Sequence, residues 1–415
     1  HSGLESGTGG DKTLRDCIDQ VSDGGTITFD DDVTQIVLDQ QLTDSSAPTF
    51  SINKSLTIDG YSATRSGGNN RVILDGGFRY QIFNASAGPL TLKDVVLKNG
   101  SAFFDGGALE AKDASSDVDV NLVGVYFYDN DANRKGGSVY ADGDVTISSS
   151  ENYPSVFKIK SGLTGPLTGG AIYSSKKVTV GPGTVFEDLY ALQKGGAIYA
   201  QQVEVNGGSF TNNGSDIGGS IFATGHVNVT SSAEPVSFTS SYARIKGGAI
   251  YADSVYFQSG SITGVDQQID SDNGAGVYAV TYVKVAGGSF SDLEAQFSGG
   301  AIYSKGATTI IGTPLFDNNT SNSGGAIFSY GNLGVSGSST FSNNYASNSG
   351  GAIYVDGTAN IGGPASFGTN RAGSYGGAVY TTDNNSENND ITVQYAATFN
   401  DNYAGAGGGA LFARN

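Results

Sequence analysis

Two histidines, one cysteine and 40 acidic residues are the groups with which this chain could do chemistry, and their placement narrows what that chemistry can be. His1 and His226 are the whole histidine supply, which excludes His-rich zinc sites and leaves a nucleophilic triad without a ready base. A mature N-terminal histidine can join a second one in a copper-binding brace, but such braces belong to a β-sandwich architecture that the repeats described below do not build. The Arg244-Ile-Lys246 triplet and the Gly225-His226 pair are the groups to weigh for hydrolysis of a polysaccharide. Inverting hydrolysis also needs paired carboxylates across the scissile bond. No Asp-Asp pair lies in the repeat before His226, and the Asp30-Asp31-Asp32 run is many coils away. The glycine clusters are not phosphate loops, because no Gly-Lys-Ser/Thr and no strand-to-long-helix step follows them. The reading is therefore of a chain that is not an enzyme, with no catalytic residue, no metal and no cofactor.

The bulk properties point the same way. A net charge of −18, from 40 acidic against 22 basic residues, argues against nucleic acid as a partner, since phosphate binding needs clustered Lys and Arg. No Asp-x-Asp-x-Asp-Gly loop or calcium-binding nonapeptide turns that acidity into a cation site, so solubility is its simplest role. Cys17 is the sole cysteine and has no intrachain partner. Leu14, Cys17, Ile18 and Val21 follow the spacing of one helix face, which predicts a short amphipathic helix with a packed, inert thiol. The chain starts at His1 without methionine, as after removal of a signal peptide, and no 18-residue apolar run predicts a membrane-spanning helix.

The elements that must position any site come from a repeat. A Gly-Gly-Ala-Ile-Tyr-like pentad begins at Gly106, Gly136, Gly169, Gly195, Gly218, Gly247, Gly274, Gly299, Gly324, Gly350, Gly376 and Gly408, at intervals of 23 to 33 residues. Phe-x-x-Asn precedes many of them, with full matches at 127–130, 210–213, 316–319, 341–344, 367–370 and 399–402. Between the motifs run short segments rich in Val, Ile, Phe, Tyr and Thr, bounded by Gly, Asn, Asp and Ser, which read as strands and turns. A unit of that size cannot bury its own apolar face, so each strand must lie beside its equivalent in the next unit. The fold class expected is all-β, a parallel β-helix preceded by a short N-terminal capping helix. It is taken as right-handed because parallel crossovers overwhelmingly are. Residues 1–50 are expected to form the cap, and residues 51–415 one continuous solenoid. In that arrangement the paired glycines permit a tight bend, the Phe points inward, and the Asn stacks on its copies as an amide ladder.

Strand alternation puts the fifth residue of each pentad on the face opposite its Ile. Tyr140, Tyr173, Tyr199, Tyr251, Tyr278, Tyr303, Tyr354 and Tyr380 should therefore form one outward aromatic stripe, continued by Phe222, Phe328 and Phe412 and broken by Glu110. Such a stripe is either a platform for sugar or protein, or a stack that stiffens the coils. Polar loops at 263–273 and 381–390 are candidate contact surfaces. Asn53, Asn84, Asn99, Asn213, Asn228, Asn318, Asn319 and Asn384 stand in Asn-x-Ser/Thr sequons and would be glycan acceptors in a eukaryotic secretory pathway.

Repeated Gly-Gly-Ala-Ile with Phe-x-x-Asn resembles the passenger region of the chlamydial polymorphic membrane proteins. Thr13-Leu-Arg-Asp-Cys-Ile18, with Gly24-Gly-Thr-Ile-Thr-Phe29 and Ser55-Leu-Thr-Ile-Asp-Gly60, is similar to the start of many secreted right-handed β-helix proteins. The resemblance implies a secreted, extracellular or cell-surface location and an adhesin-like role toward a protein or glycan partner. Two alternatives stand beside it: a filament subunit that self-associates end to end, and a polysaccharide-active β-helix enzyme, since Arg244-Ile-Lys246 mimics the Arg-x-Lys of polygalacturonases.

Overall fold

The computed structural model describes residues 12–38, 48–65, 70–159, 165–231, 234–264, 271–382, 390–394 and 396–414. The chain divides into two compact units, His1–Val203 and Glu204–Asn415, and each is a parallel β-helix. Among the described residues there is one helix, Leu14–Gln20, and every named strand pairing is parallel.

The helix forms where the heptad-like spacing places it. Thr13 caps it, accepting from the Asp16 amide, while the Asp16 carboxylate accepts from the Thr13 amide in return. Leu14 and Ile18 are buried and carry its packing. Cys17, expected to be packed, is only half-buried because it lies on the flank of that two-residue stripe; partial burial still pushes its thiol pKa up. Arg15 donates to the Pro48 and Thr49 carbonyls and lies over the Phe50 ring, and Lys54 donates to the Asp19 and Val21 carbonyls. These contacts hold the helix against the first coils.

Each coil in the first unit repeats three strands. One starts in the pentad, as in Leu109–Ala111, Val139–Ala141 and Ile172–Ser174; a second follows it, as in Val120–Val123 and Val145–Ser148; a third carries the inward Phe, as in Tyr126–Tyr128, before the turn at Asn130, and in Val156–Lys158. Register is residue for residue, Val139 on Ile172 and Tyr140 on Tyr173, so like side chains form columns at roughly 4.8 Å spacing. The second unit keeps those columns, with Ile302 beside Ile327 and Phe316 beside Phe341.

Two residue types make the coil possible. The first glycine of every pentad has a left-handed backbone, φ +69° at Gly350 for example, which a residue with a Cβ adopts only under strain. The second glycine is needed for a different reason: a Cβ on Gly351 would be driven into the carbonyl oxygen of Gly377 in the next coil. Inside, the phenylalanines stack with ring centroids 5.0 and 4.8 Å apart across Phe127, Phe157 and Phe186, and 4.8 and 4.7 Å apart across Phe316, Phe341 and Phe367. All of these rings are fully buried, each contributing on the order of 2–3 kcal/mol by area removed from water.

At the turn, the asparagines form the ladder expected from the sequence. Asn344 donates through Nδ2 to the Phe316 carbonyl (3.0 Å) and to Asn370 Oδ1 (2.9 Å), and its own Oδ1 accepts from Asn319 Nδ2 (3.0 Å) and the Asn319 amide (3.1 Å). Both N–H groups and both lone pairs of a fully buried amide are thereby satisfied. The residue just before the ladder is left-handed, as at Asn343 (φ +56°), where short polar side chains are best tolerated.

Candidate functional site: a groove beside the glycine bend

The pentad aromatics meet in columns. In the first unit Tyr140, Tyr173 and Tyr199 stack, with centroids 5.3 and 4.7 Å apart for Tyr140 on Tyr173 and Tyr173 on Tyr199. In the second, Phe222, Tyr251, Tyr278, Tyr303, Phe328, Tyr354, Tyr380 and Phe412 continue in sequence order at 4.7 to 5.7 Å. The columns are not open: Tyr140, Tyr278, Tyr303 and Tyr380 are buried, and Tyr173, Tyr199, Tyr251 and Tyr354 are half-buried. Burial holds the phenols in their neutral form, raising Tyr278 and Tyr354 to about 12 and Tyr173 and Tyr199 in the same direction. Neighbouring side chains close over them. Lys246 lies over the Tyr278 ring, and Tyr330 meets Tyr303 and Phe328 edge to face at 5.8 and 5.0 Å.

The short segment between asparagine turn and glycine bend forms the other wall of the column, and in the first unit it is unusual. Its last residues, Asp105, Lys135, Thr168 and Lys194, stand beside one another as isolated bridges. The glycine bend folds this segment toward the pentad strand, so these side chains approach the pentad's fifth residue. Lys135 accordingly places Nζ 4.4 Å from the Tyr173 centroid and 5.5 Å from that of Tyr140. Asp105, Lys112, Arg134, Lys135, Tyr140, Leu167, Thr168 and Gln193 line a groove of about 290 Å³ there.

Glu110 ends the aromatic column next to the groove. It occupies the pentad position beside Tyr140 where every later coil has a ring, so the aromatic column stops at Tyr140. Burial raises the Glu110 carboxyl pKa, and the neighbouring Asp105 charge raises it further. Asp105 is itself 5% exposed; its Oδ2 accepts from the Arg134 guanidinium at 2.8 Å, while Oδ1 is buried with no hydrogen-bond partner. Gln81 Nε2 fixes the backbone beneath by donating to the Asp105 and Gly106 carbonyls. Arg134 also lies 4.4 Å over the Phe104 ring, and Phe104 meets Phe103 edge to face at 4.8 Å. Phe103 (76% exposed), Phe104 (53%), Leu167, Tyr190 and Leu192 leave an apolar surface at the rim.

The sequence pointed to the tyrosines and not to this groove. Of its lining only Tyr140 stands at a motif position, and the signal beyond it is the adjacent pair Phe103-Phe104, which no second-unit counterpart repeats. Among the sequons, Asn319 and Asn213 are fully buried, Asn319 within the ladder and Asn213 donating to Ser220, so the folded chain offers neither to a glycan. Asn53 and Asn318 are exposed; Asn84, Asn99 and Asn228 are half-buried with their amides bonded to Glu110, Asp75 and Glu204. Asn384, His1 and most of the loops at 263–273 and 381–390 lie outside the described residues. Arg244 is committed to Asp216 at 2.8 Å, and His226 stands 3.4 Å from Glu204. Among the described residues no group of three or more His, Cys, Asp or Glu could hold a metal, and no helix is long and apolar enough to cross a membrane.

With this geometry in hand, residues 315–330 and 338–356 match the Chlamydia polymorphic membrane protein repeat. Each matched segment runs from the inward Phe strand through the ladder asparagine to the pentad strand. These repeats are polymorphic-membrane-protein-like. A probable outer membrane protein of Chlamydia pneumoniae, pmp15, is 30% identical over 142 residues, which is 32% of this chain and 12% of that protein. The chain therefore aligns with only a small part of that relative's length. No solved structure matches.

Proposed function

We propose that this chain is a β-helix displayed at a cell surface, where it recognises another surface as an adhesin does and catalyses no reaction. Three things support the reading: the repeats shared with the chlamydial proteins, the name of the relative as a probable outer membrane protein, and the way the coils present side chains. The observation that carries it is the exposed set Phe103, Phe104, Leu167, Tyr190 and Leu192, fixed on neighbouring coils of a rigid ladder. Water-exposed apolar clusters of that kind mark interaction surfaces. The carboxylates near the groove are not arranged as an acid and a base, because Asp105 is locked to Arg134 and Glu110 is not among the lining residues.

Antibody against the chain, applied to intact cells that make it, is expected to label their surface, and beads coated with the purified chain are expected to bind cultured cells. Label that appears only after permeabilisation, or beads that bind no more than albumin-coated controls, would overturn the proposal. Release of reducing ends from a panel of acidic and neutral polysaccharides would overturn its non-enzymatic part.

A further inference from the structure

Resting on that recognition reading, we infer that the first-unit groove and its apolar rim dock a protein segment that combines apolar side chains with carboxylates. Charge is the first argument. The chain carries −18 overall, yet the groove lining holds Lys112, Arg134 and Lys135 against the single carboxylate of Asp105. That carboxylate is already neutralised by Arg134, and among the described residues neither Lys112 nor Lys135 has a carboxylate within ion-pair distance. Two cations therefore remain for an acidic occupant.

The second argument is the rim. Hydrogen bonds from the Arg134 amide to the Phe104 carbonyl and from the Thr168 amide to the Arg134 carbonyl set Phe104, Arg134 and Leu167 on successive coils. At strand spacing of about 4.8 Å, these coils offer a short, stiff row into which one or two apolar side chains can settle. Sugar stacking needs a free ring face, and three of the rings here are already engaged. The Arg134 guanidinium occupies a face of Phe104, Phe103 meets Phe104 edge-on, and the Tyr140 and Tyr173 rings face each other with Lys135 beside them. Leu167 and Leu192 add aliphatic surface that only an apolar partner would use.

The third argument is the combination itself. Apolar side chains for the rim and a carboxylate for Lys112 and Lys135 occur together in one class of ligand, a peptide chain.

The test selects a random dodecapeptide phage library on the immobilised chain and counter-selects on the double variant Phe103→Ser, Phe104→Ser, whose side chains are exposed and whose fold is checked by circular dichroism. The expected result is enrichment of peptides that pair Asp or Glu with Leu, Phe or Trp. Synthetic copies should bind the chain at least about tenfold more weakly after Lys135→Glu, and more weakly as salt screens the pairs. Enrichment of neutral or basic peptides, no enrichment at all, or full binding to the double variant would each overturn the inference. So would a glycan array in which the wild-type chain, and not the double variant, captures sugars. Coated beads separate the two readings: if the double variant still carries beads to cells while no peptide is enriched, the docking inference falls alone, and if the wild-type chain carries none, the recognition reading falls with it.

Discussion

Between asparagine turn and glycine bend the two units solve the same problem differently. In the second unit this segment is a regular paired strand in most coils, as in Thr320–Ser323 and Tyr345–Ser349, and in three consecutive coils it ends in Ser298, Ser323 and Ser349. In the first unit it shrinks to Ser101–Ala102 and Asp131–Ala132, followed by single bridges, and ends in Asp105, Lys135, Thr168 and Lys194. The inward Phe, the pentad glycines and the turn asparagine are nevertheless present in both. The coil is closed by those columns, so the segment between them is free to trade regular pairing for exposed aromatic and charged side chains. Variation is concentrated where closure does not depend on it, and the groove lies there.

The largest test of this contrast breaks a column rather than the variable side. Asn344→Ala in the second unit should cost about 3 kcal/mol, because it strips partners from the Asn319 amide and side chain, the Phe316 carbonyl and Asn370. Asn130→Ala in the first unit, where the amide spans the Leu97 carbonyl and the Gly100 amide, should cost nearer 2 kcal/mol. Hydrogen exchange read separately over residues 290–370 and 97–137 checks both values, and equal losses would erase the distinction between the two asparagines.

Alkaline pH is the next lever. Tyr278 and Tyr354 have folded pKa values of about 12, above the ordinary phenol value of 10.0. For a group raised on folding, the stabilising contribution is complete below the unfolded value and is lost as pH rises through the folded one. The second unit should therefore loosen between about pH 10 and 12, with phenolate absorbance appearing late and together with the loss of structure. Phenols that titrate near pH 10 without structural change would show that the second-unit column is open to water.

Two smaller substitutions move one unit toward the other. Glu110→Tyr extends the first-unit column by a ring, removes a carboxyl that burial disfavours, and should raise local stability by about 1 kcal/mol. Lys135→Ser gives the first unit the side chain found at Ser298 or Ser323, and should cost less than about 1 kcal/mol through the lost cation–ring contact. Thermal melts of each variant report the sign. A destabilised Glu110→Tyr protein would mean that the space beside Tyr140 is too narrow for a ring.

What could be seen in the sequence follows the same division. The glycine bend, the buried Phe and the ladder Asn each answer a steric or hydrogen-bonding demand that returns in many coils, so they recur in the sequence and the fold could be reconstructed from them. The groove answers no recurring demand. Asp105, Lys135, Thr168 and Lys194 share one place in the coil but no chemistry, and a residue-by-residue pattern cannot join them. The tyrosine stripe was legible as a column because alternation dictates it, but its cover was not, since Lys135, Lys246 and Tyr330 reach it from outside the pentad. For the same reason a sequon at Asn319 looked like any other, until the ladder took both ends of its amide.

Coil-to-coil register has a kinetic meaning as well. Ile302 meets Ile327, and Phe316 meets Phe341, so in this stretch a new turn of chain closes a loop of 25 residues onto one already in place. Closing a loop of that length costs about 3 kcal/mol of chain entropy, and the cost stays level however many turns precede it. Ordering can therefore zip forward from any formed turn, with no step that waits for distant parts of the chain to meet.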